Sequence, residues 1–318
     1  MMSWLYCRLR APFRRDASVH APLLTTAEIA QLAAQGRELA RRQHRLVGSR
    51  RVGDWPAARL GTGLDFEALR PYAAGDDIRR MDWRSTARGG RAYVRLYREE
   101  RQIALHLVID RGPAMRFGTR RRLKVVQGAR VVVLLAFAAV AARQGVGATL
   151  WDEADAQLPT QDGAHAAHAL AMAAARPCPP VDATDGAERY AVRLARLAAH
   201  LPGGSRLALV SDFTWLEPAH WKPLARLAEQ CELCCVGVAD PAERRLPDMG
   251  MALFHDLHSG RLSWLDTRRA AAPLAEAYAQ REAELSARLQ SLGARYLRIG
   301  SEEDDLLPQF ARHAQSAY

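Results

Sequence analysis

A doubly wound α/β fold with a mostly parallel sheet is predicted for this chain by three features of its sequence. Apolar runs of strand length alternate with helical segments from residue 102 onward, the pattern of parallel strands joined by helical crossovers. The first of these runs, QIALHLVI at 102–109, is almost continuously apolar, as a strand covered on both faces must be. Two strands stop abruptly at an aspartate, Asp110 and Asp212, and ligands of doubly wound sheets gather beyond the carboxyl ends of their strands. At 318 residues, 49% hydrophobic and 25% charged, the chain has ample material for a core.

Residues 1–24 read as a flexible N-terminus, with scattered arginines and no apolar stretch of the kind a signal peptide needs. A helix should open at Thr25, which has capping-box spacing to Glu28. Ile29, Leu32, Gly36, Leu39 and Leu46 then share one face, and Arg37, Arg41, Arg42 and Arg45 lie away from it. From Gly48 to Arg91 no clean period exists, yet Trp55, Phe66, Leu69, Tyr72, Ile78 and Trp83 supply anchors. An ordered, irregular arm is expected there, so that helix and arm (25–101) pack on the main domain (102–318). Within that domain, strands are expected at 146–151, 207–211, 232–238 and 296–299. Helices are expected at 120–143, 164–175, 188–201, 217–230 and 273–292, with a last one from about Asp304. His255 and Arg261 should flank a Ser259–Gly260 turn between two short strands.

The formal charge is +10, which brings nucleic acid and anionic surfaces into view. Of the 45 basic residues only Lys124 and Lys222 are lysines, and acids are mixed with the arginines throughout. That mixing counts against a nucleic-acid footprint. Five cysteines make an odd number in a long chain, which fits a reducing compartment and no disulfide framework. The longest apolar run, 131–142, falls short of the roughly 20 residues of a membrane helix. A cytoplasmic protein without a transmembrane segment is expected.

Asp110 and Asp212, at two strand tips, can face each other and together suit a hard cation such as Mg²⁺. The plainer alternative is that each caps the loop or helix that follows. Cys231, Cys234 and Cys235 have one zinc-like spacing but no second pair, and read as small buried hydrophobes. His255, Asp256 and His258 fit a hairpin turn better than a ligand set. Gly61-Thr62-Gly63 lacks a third glycine, and no nucleophile elbow or Walker A lysine motif is found. No enzyme activity is therefore expected.

One stretch carries a resemblance. Its elements are Gly61, Gly63, Asp65 and Phe66; Leu69, Arg70 and Tyr72; Gly75, Asp76, Asp77 and Arg79; Asp82 and Trp83; Ala87 and Arg88; Val94 and Arg95; and Glu99, Glu100 and Arg101. In this order they resemble the pattern of the bacterial domain-of-unknown-function family fifty-eight. Ser211-Asp212-Phe213 and Asp240-Pro241 extend the match over roughly residues 35–265. The resemblance implies a fold of von Willebrand factor A type. It also implies genes beside a MoxR-type AAA+ ATPase, and hence an adaptor or scaffold for that ATPase, its client or other von Willebrand factor A-domain proteins.

In that fold the first strand normally ends in Asp-x-Ser-x-Ser, whose hydroxyls help hold Mg²⁺. Here Gly112 and Ala114 stand at the serine positions and offer no oxygen. Asp212 keeps the last carboxylate, and Thr160, expected in the loop after the second strand, is the candidate for the intermediate ligand. The adhesion site should thus be degenerate, with a guanidinium from Arg111 or Arg116 replacing the cation and no cofactor required. The charged arm (Arg70, Tyr72, Gly75, Asp76, Asp77, Arg79, Arg80, Asp82, Trp83, Arg84, Arg88, Glu99, Glu100, Arg101) has two readings. It is either a surface a partner recognises or an ion-pair network that pins the arm, with Trp83, Tyr93 and Tyr97 as packing anchors.

Overall fold

The computed structural model describes residues 21–49, 65–73, 81–89, 91–98, 104–152, 154–178, 188–255 and 262–315. It divides into a large unit, residues 1–50 with 104–318, and a small one, residues 51–103. The chain opens with helix α1, Thr26–Ser49. Its start follows the capping box: the Thr25 amide donates to Glu28 Oε2 (2.8 Å) and the Glu28 amide returns to Thr25 Oγ1 (3.2 Å).

The small unit corrects the expectation of an irregular arm. Strand β1 (Asp65–Pro71) pairs antiparallel with β2 (Tyr93–Arg98), and helix α2 (Trp83–Gly89) lies between them in sequence. A register irregularity falls between Phe66 and Ala68 in the pairing of β1 with β2. An irregularity of this kind obscures a period of two.

The large unit is built on a six-stranded sheet. In chain order its parts are β3 (Leu105–Asp110), α3 (Lys124–Ala141), β4 (Val146–Trp151), β5 (Gln157–Gln161), α4 (Ala164–Ala174), α5 (Glu188–His200), β6 (Arg206–Ser211), α6 (Trp221–Gln230), β7 (Glu232–Ala239) and the short α7 (Pro241–Arg244). A two-stranded ladder, β8 (Met251–His255) and β9 (Leu262–Asp266), follows. Helix α8 (Thr267–Ser291), β10 (Arg295–Gly300) and α9 (Leu307–Gln315) complete it. The sheet order is β10-β7-β6-β3-β4-β5. All its pairings are parallel except β4 with β5. Counted from β3 this is the 3-2-1-4-5-6 order of a doubly wound sheet, with its switch point between β3 and β6.

Strand side chains alternate between two cores. Leu107, Ile109, Ala208, Val210, Val236 and Val238 face one, which includes α3 and α4. Val108, Leu207, Leu209, Leu233 and Cys235 face the other, with α5 and α6. Helix α3 is long and apolar enough to span a membrane by length and composition, but 78% of it is buried. Helix α1 packs on α3 and α9, and Gly36 permits the close approach. A Cβ there would stand 2.6 Å from the Leu134 carbonyl oxygen.

Several elements differ from expectation, α3 starting at Lys124 instead of 120 and α6 at Trp221 instead of 217 among them. Edge strand β5 went unforeseen because its sequence, QLPTQ, is largely exposed and carries a proline, which only an edge tolerates. Helix α8 starts at Thr267, capped by Asp266, and carries Pro273 inside it rather than at its first turn. The final helix begins at Leu307, not near Asp304.

Candidate functional site

Asp110 ends β3 and Asp212 follows β6, so the switch point brings both carboxylates to adjacent strand tips. The crevice expected there is closed. Asp110 is 1% exposed, and the Lys124 and Asp212 side chains are 0% and 3% exposed. Asp110 Oδ1 accepts from the Gly112 amide (2.9 Å) and the Tyr190 hydroxyl (3.2 Å), and Oδ2 accepts from Ser211 Oγ (2.6 Å). The Tyr190 ring stacks on Trp215 (centroids 4.4 Å apart), Trp151 meets both edge-on, and Trp215 Nε1 donates to Ser211 Oγ. These rings keep water away. Burial, reinforced by the neighbouring Asp212 charge, pushes the Asp110 carboxyl up to about 6.

Lys124 supplies the positive charge. It is the first residue of α3, and its ammonium lies 2.7 Å from Asp212 Oδ2 and 2.5 Å from Glu243 Oε1. Asp212 Oδ1 accepts from the Thr214 amide and hydroxyl. Burial alone would raise the Asp212 carboxyl, yet the lysine holds it below the ordinary carboxylate range. Burial wins at Glu243, whose carboxyl is raised. The ammonium is held above the usual lysine range by the two acids, against its own desolvation. A cation at a helix N-terminus opposes the helix dipole, so these acids are what make the placement tenable. Asp240 of the next strand tip extends the cluster, accepting from the Thr119 amide and from Ser301 Oγ.

The expectation that Arg111 or Arg116 replaces a cation is thereby corrected. Arg111 is engaged elsewhere: it pairs with Asp152 just beyond β4 (3.4 Å) and donates to the Arg176 and Pro177 carbonyls that follow α4. Arg116 Nε donates to the Arg111 carbonyl. Lys124 was missed, although it is one of two lysines in an arginine-rich chain. A compact ammonium suits the gap between two carboxylates, where a planar guanidinium would demand a wider one.

Gly112 and Ala114 flank the start of a 3₁₀ turn, Pro113–Arg116. A Cβ on Gly112 would come within 2.7 Å of the Tyr190 hydroxyl and 3.1 Å of Asp110 Oδ1. Tyr190 and Ser211 provide the hydroxyls that reach Asp110. Thr160 is no part of this cluster, contrary to expectation. It lies in β5, against Gly145 and Gly147 near the amino end of β4. Asp110 pairs with Trp151, four residues further along that strand, a distance of about 13 Å. An antiparallel turn-back carries Thr160 to the wrong end of the sheet.

In the small unit Asp82 caps α2, its carboxylate accepting from the Arg84 amide (3.1 Å) and Ser85 Oγ (3.2 Å). Tyr72 donates its amide to the Ala92 carbonyl, Arg70 pairs with Val94, and Arg88 belongs to α2. Trp83, expected as a packing anchor, is 66% exposed. The expectations placed on Gly75, Asp76, Asp77, Arg79, Arg80, Glu99, Glu100 and Arg101 lie outside the described residues. So do those on Trp55, Gly61, Thr62, Gly63, Ile78, Asp256, His258 and the Ser259–Gly260 turn. Cys234 and Cys235 sit in β7, where burial pushes the Cys234 thiol up to about 11. That suits packing, not ligation.

Strand order and the charged cluster at the switch point define a mixed α/β, Rossmann-like protein. The family model described as "Protein of unknown function DUF58" matches residues 68–287, and the chain belongs to that family. Among curated proteins it is similar to the uncharacterized proteins Rv1480 of Mycobacterium tuberculosis and Mb1516 of Mycobacterium bovis. Each is 27% identical over 300 residues, covering 92% of both chains. Among solved structures it is similar to the conserved hypothetical protein BatB from Bacteroides thetaiotaomicron, with 13% identity and a TM-score of 0.43 over 67% of this chain and 98% of that one. An aerotolerance-related membrane protein from Bacteroides fragilis is also similar, with 10% identity and a TM-score of 0.42 over 67% and 97% of the two chains.

Proposed function

We propose that this protein is a non-catalytic interaction module of von Willebrand factor A type. It serves in the cytoplasm as an adaptor or scaffold for a MoxR-type AAA+ ATPase and its client, and its adhesion site is degenerate. The observation that carries this reading is the Lys124 ammonium between Asp212 and Glu243. Mg²⁺ would need an octahedron of oxygens and room for its waters. The residues present do not fit it: an ammonium already engages Asp212, three donors already engage Asp110, and positions 112 and 114 carry no side-chain oxygen. The closed cluster offers a substrate no exposed nucleophile or base, which supports a role in binding over catalysis. The open indole of Trp83 supports the arm as a recognition surface.

The test is affinity capture of the tagged full chain from nuclease-treated native lysate, with and without ATP, read by mass spectrometry. Stoichiometric recovery of an AAA+ ATPase, reduced in a Trp83→Ser variant, is the expected result. Failure to recover any ATPase under either condition would overturn the adaptor reading. In parallel, millimolar Mg²⁺ should leave the melting temperature unchanged. A rise that vanishes in Asp110→Asn would restore the metal site.

A further inference from the structure

The β8–β9 ladder has one face turned inward and one left open. Ala252, Phe254, Ser263 and Leu265 share the inner face, where Phe254 is 2% exposed. Met251, Leu253, Leu262 and Trp264 share the other, with Asp266 at its edge opposite Met251, since residues opposite one another in an antiparallel pair point the same way. On that outer face Met251, Leu262 and Trp264 are 61%, 63% and 66% exposed. Half of the chain's large exposed hydrophobics among the described residues are thus gathered on this one short ladder.

Basic residues gather at its base, in the connections that lead into β8 and out of β9. Arg244, Arg245, Arg268 and Arg269 are all exposed there. The acids nearby are Asp248, paired with Arg268 (2.8 Å), and Asp266, paired with Arg269 (3.6 Å), so the base keeps an excess of arginine. A tryptophan with aliphatic neighbours above a collar of arginines matches the layered chemistry of a lipid surface, where indoles favour the interface and guanidinium groups meet phosphate.

We infer that the outer face of the β8–β9 ladder docks on an anionic membrane surface, with Met251, Leu262 and Trp264 entering the interface and the four arginines meeting lipid phosphates. Charge complementarity argues for this occupant, since the chain carries +10 and the patch lies beside exposed arginines. Size argues against a protein partner as its main occupant. Three exposed large apolar side chains fall well short of the roughly 20–30 residues that each side of a standard protein interface contributes, whereas insertion into lipid requires no matching surface. The inference does not depend on the adaptor reading.

Co-sedimentation of the full chain with vesicles tests it, using phosphatidylcholine alone and phosphatidylcholine mixed with phosphatidylglycerol. Binding to the anionic vesicles that weakens as salt rises is expected, with little binding to the neutral ones. A Met251→Ser/Leu262→Ser/Trp264→Ser variant should bind about tenfold more weakly or less while melting like the parent, because those side chains are already exposed. Arg244→Glu/Arg245→Glu should weaken binding and leave the apolar face intact, whereas Trp83→Ser should bind as the parent does. Absence of binding to anionic vesicles would overturn the inference, as would equal binding by the triple variant. A concentration-dependent dimer that the triple variant abolishes, without vesicle binding, would assign the face to a second copy of this chain instead.

Discussion

Lys124 and Asp212 form an ion pair at 2.7 Å with both side chains sealed from solvent, across two elements 88 residues apart. Removing one member of such a pair leaves an uncompensated buried charge, which costs about 3–5 kcal/mol. Lys124→Met should therefore lower stability by that amount and the melting temperature by roughly 10 °C. Asp212→Asn in the same background should return part of the loss, because it removes the orphaned carboxylate. Thermal and denaturant unfolding of the parent and the two variants checks this. Unchanged stability of Lys124→Met would mean that the ammonium does not hold the strand tips together.

The Asp110 carboxyl, raised from 3.8 to about 6 by burial and by Asp212, gives a pH dependence of definite sign. The folded protein holds this proton more tightly than the unfolded chain does. The associated stability is complete below the unfolded value and is lost as pH rises through about 6, a loss on the order of 3 kcal/mol. Asp212, held low by Lys124, runs the other way, and its contribution fades as pH falls. Asp110→Asn keeps Asp212 and removes only the first effect. Relative to the parent, the variant should fare better at pH 7 than at pH 4 in urea unfolding. A difference that stays constant with pH would place the titration elsewhere.

The hydroxyl of Tyr190 occupies the space a side chain at position 112 would need. Gly112→Ala should cost about 1–3 kcal/mol through forced displacement. Tyr190→Phe should cost less and should relieve part of the glycine substitution. A double-mutant cycle on melting curves should show clear coupling, since the two groups touch. Strict additivity would show that the hydroxyl is not what fills the space.

Much of the fold was legible because its signals are local. Strand β4 falls at Val146–Trp151 as expected, since burial on both faces demands an unbroken apolar run. Asp110 and Asp212 were legible because the strand-end rule needs only the order of elements. Strand β5 and the β1–β2 pair were not, the one being exposed and the other interrupted by its irregularity. Thr160 was misplaced for the same reason, because without β5 nothing in the sequence reverses the chain. Lys124 was hidden by its position at a helix start, where its partners come from the residue after β6 and from α7, far away in sequence. Its rarity among so many arginines was the one available signal.

A positive charge carried on a side chain does not dissociate from the protein as a bound ion does. Chelators, dialysis and swings in divalent-ion supply leave it in place, and no partner can complete its coordination with a borrowed carboxylate. The strand tips therefore hold a built-in positive charge, while the protons on the buried Asp110 and Glu243 carboxyls can still come and go. Lysine at residue 124 thus builds a positive charge into the strand tips as part of the chain itself.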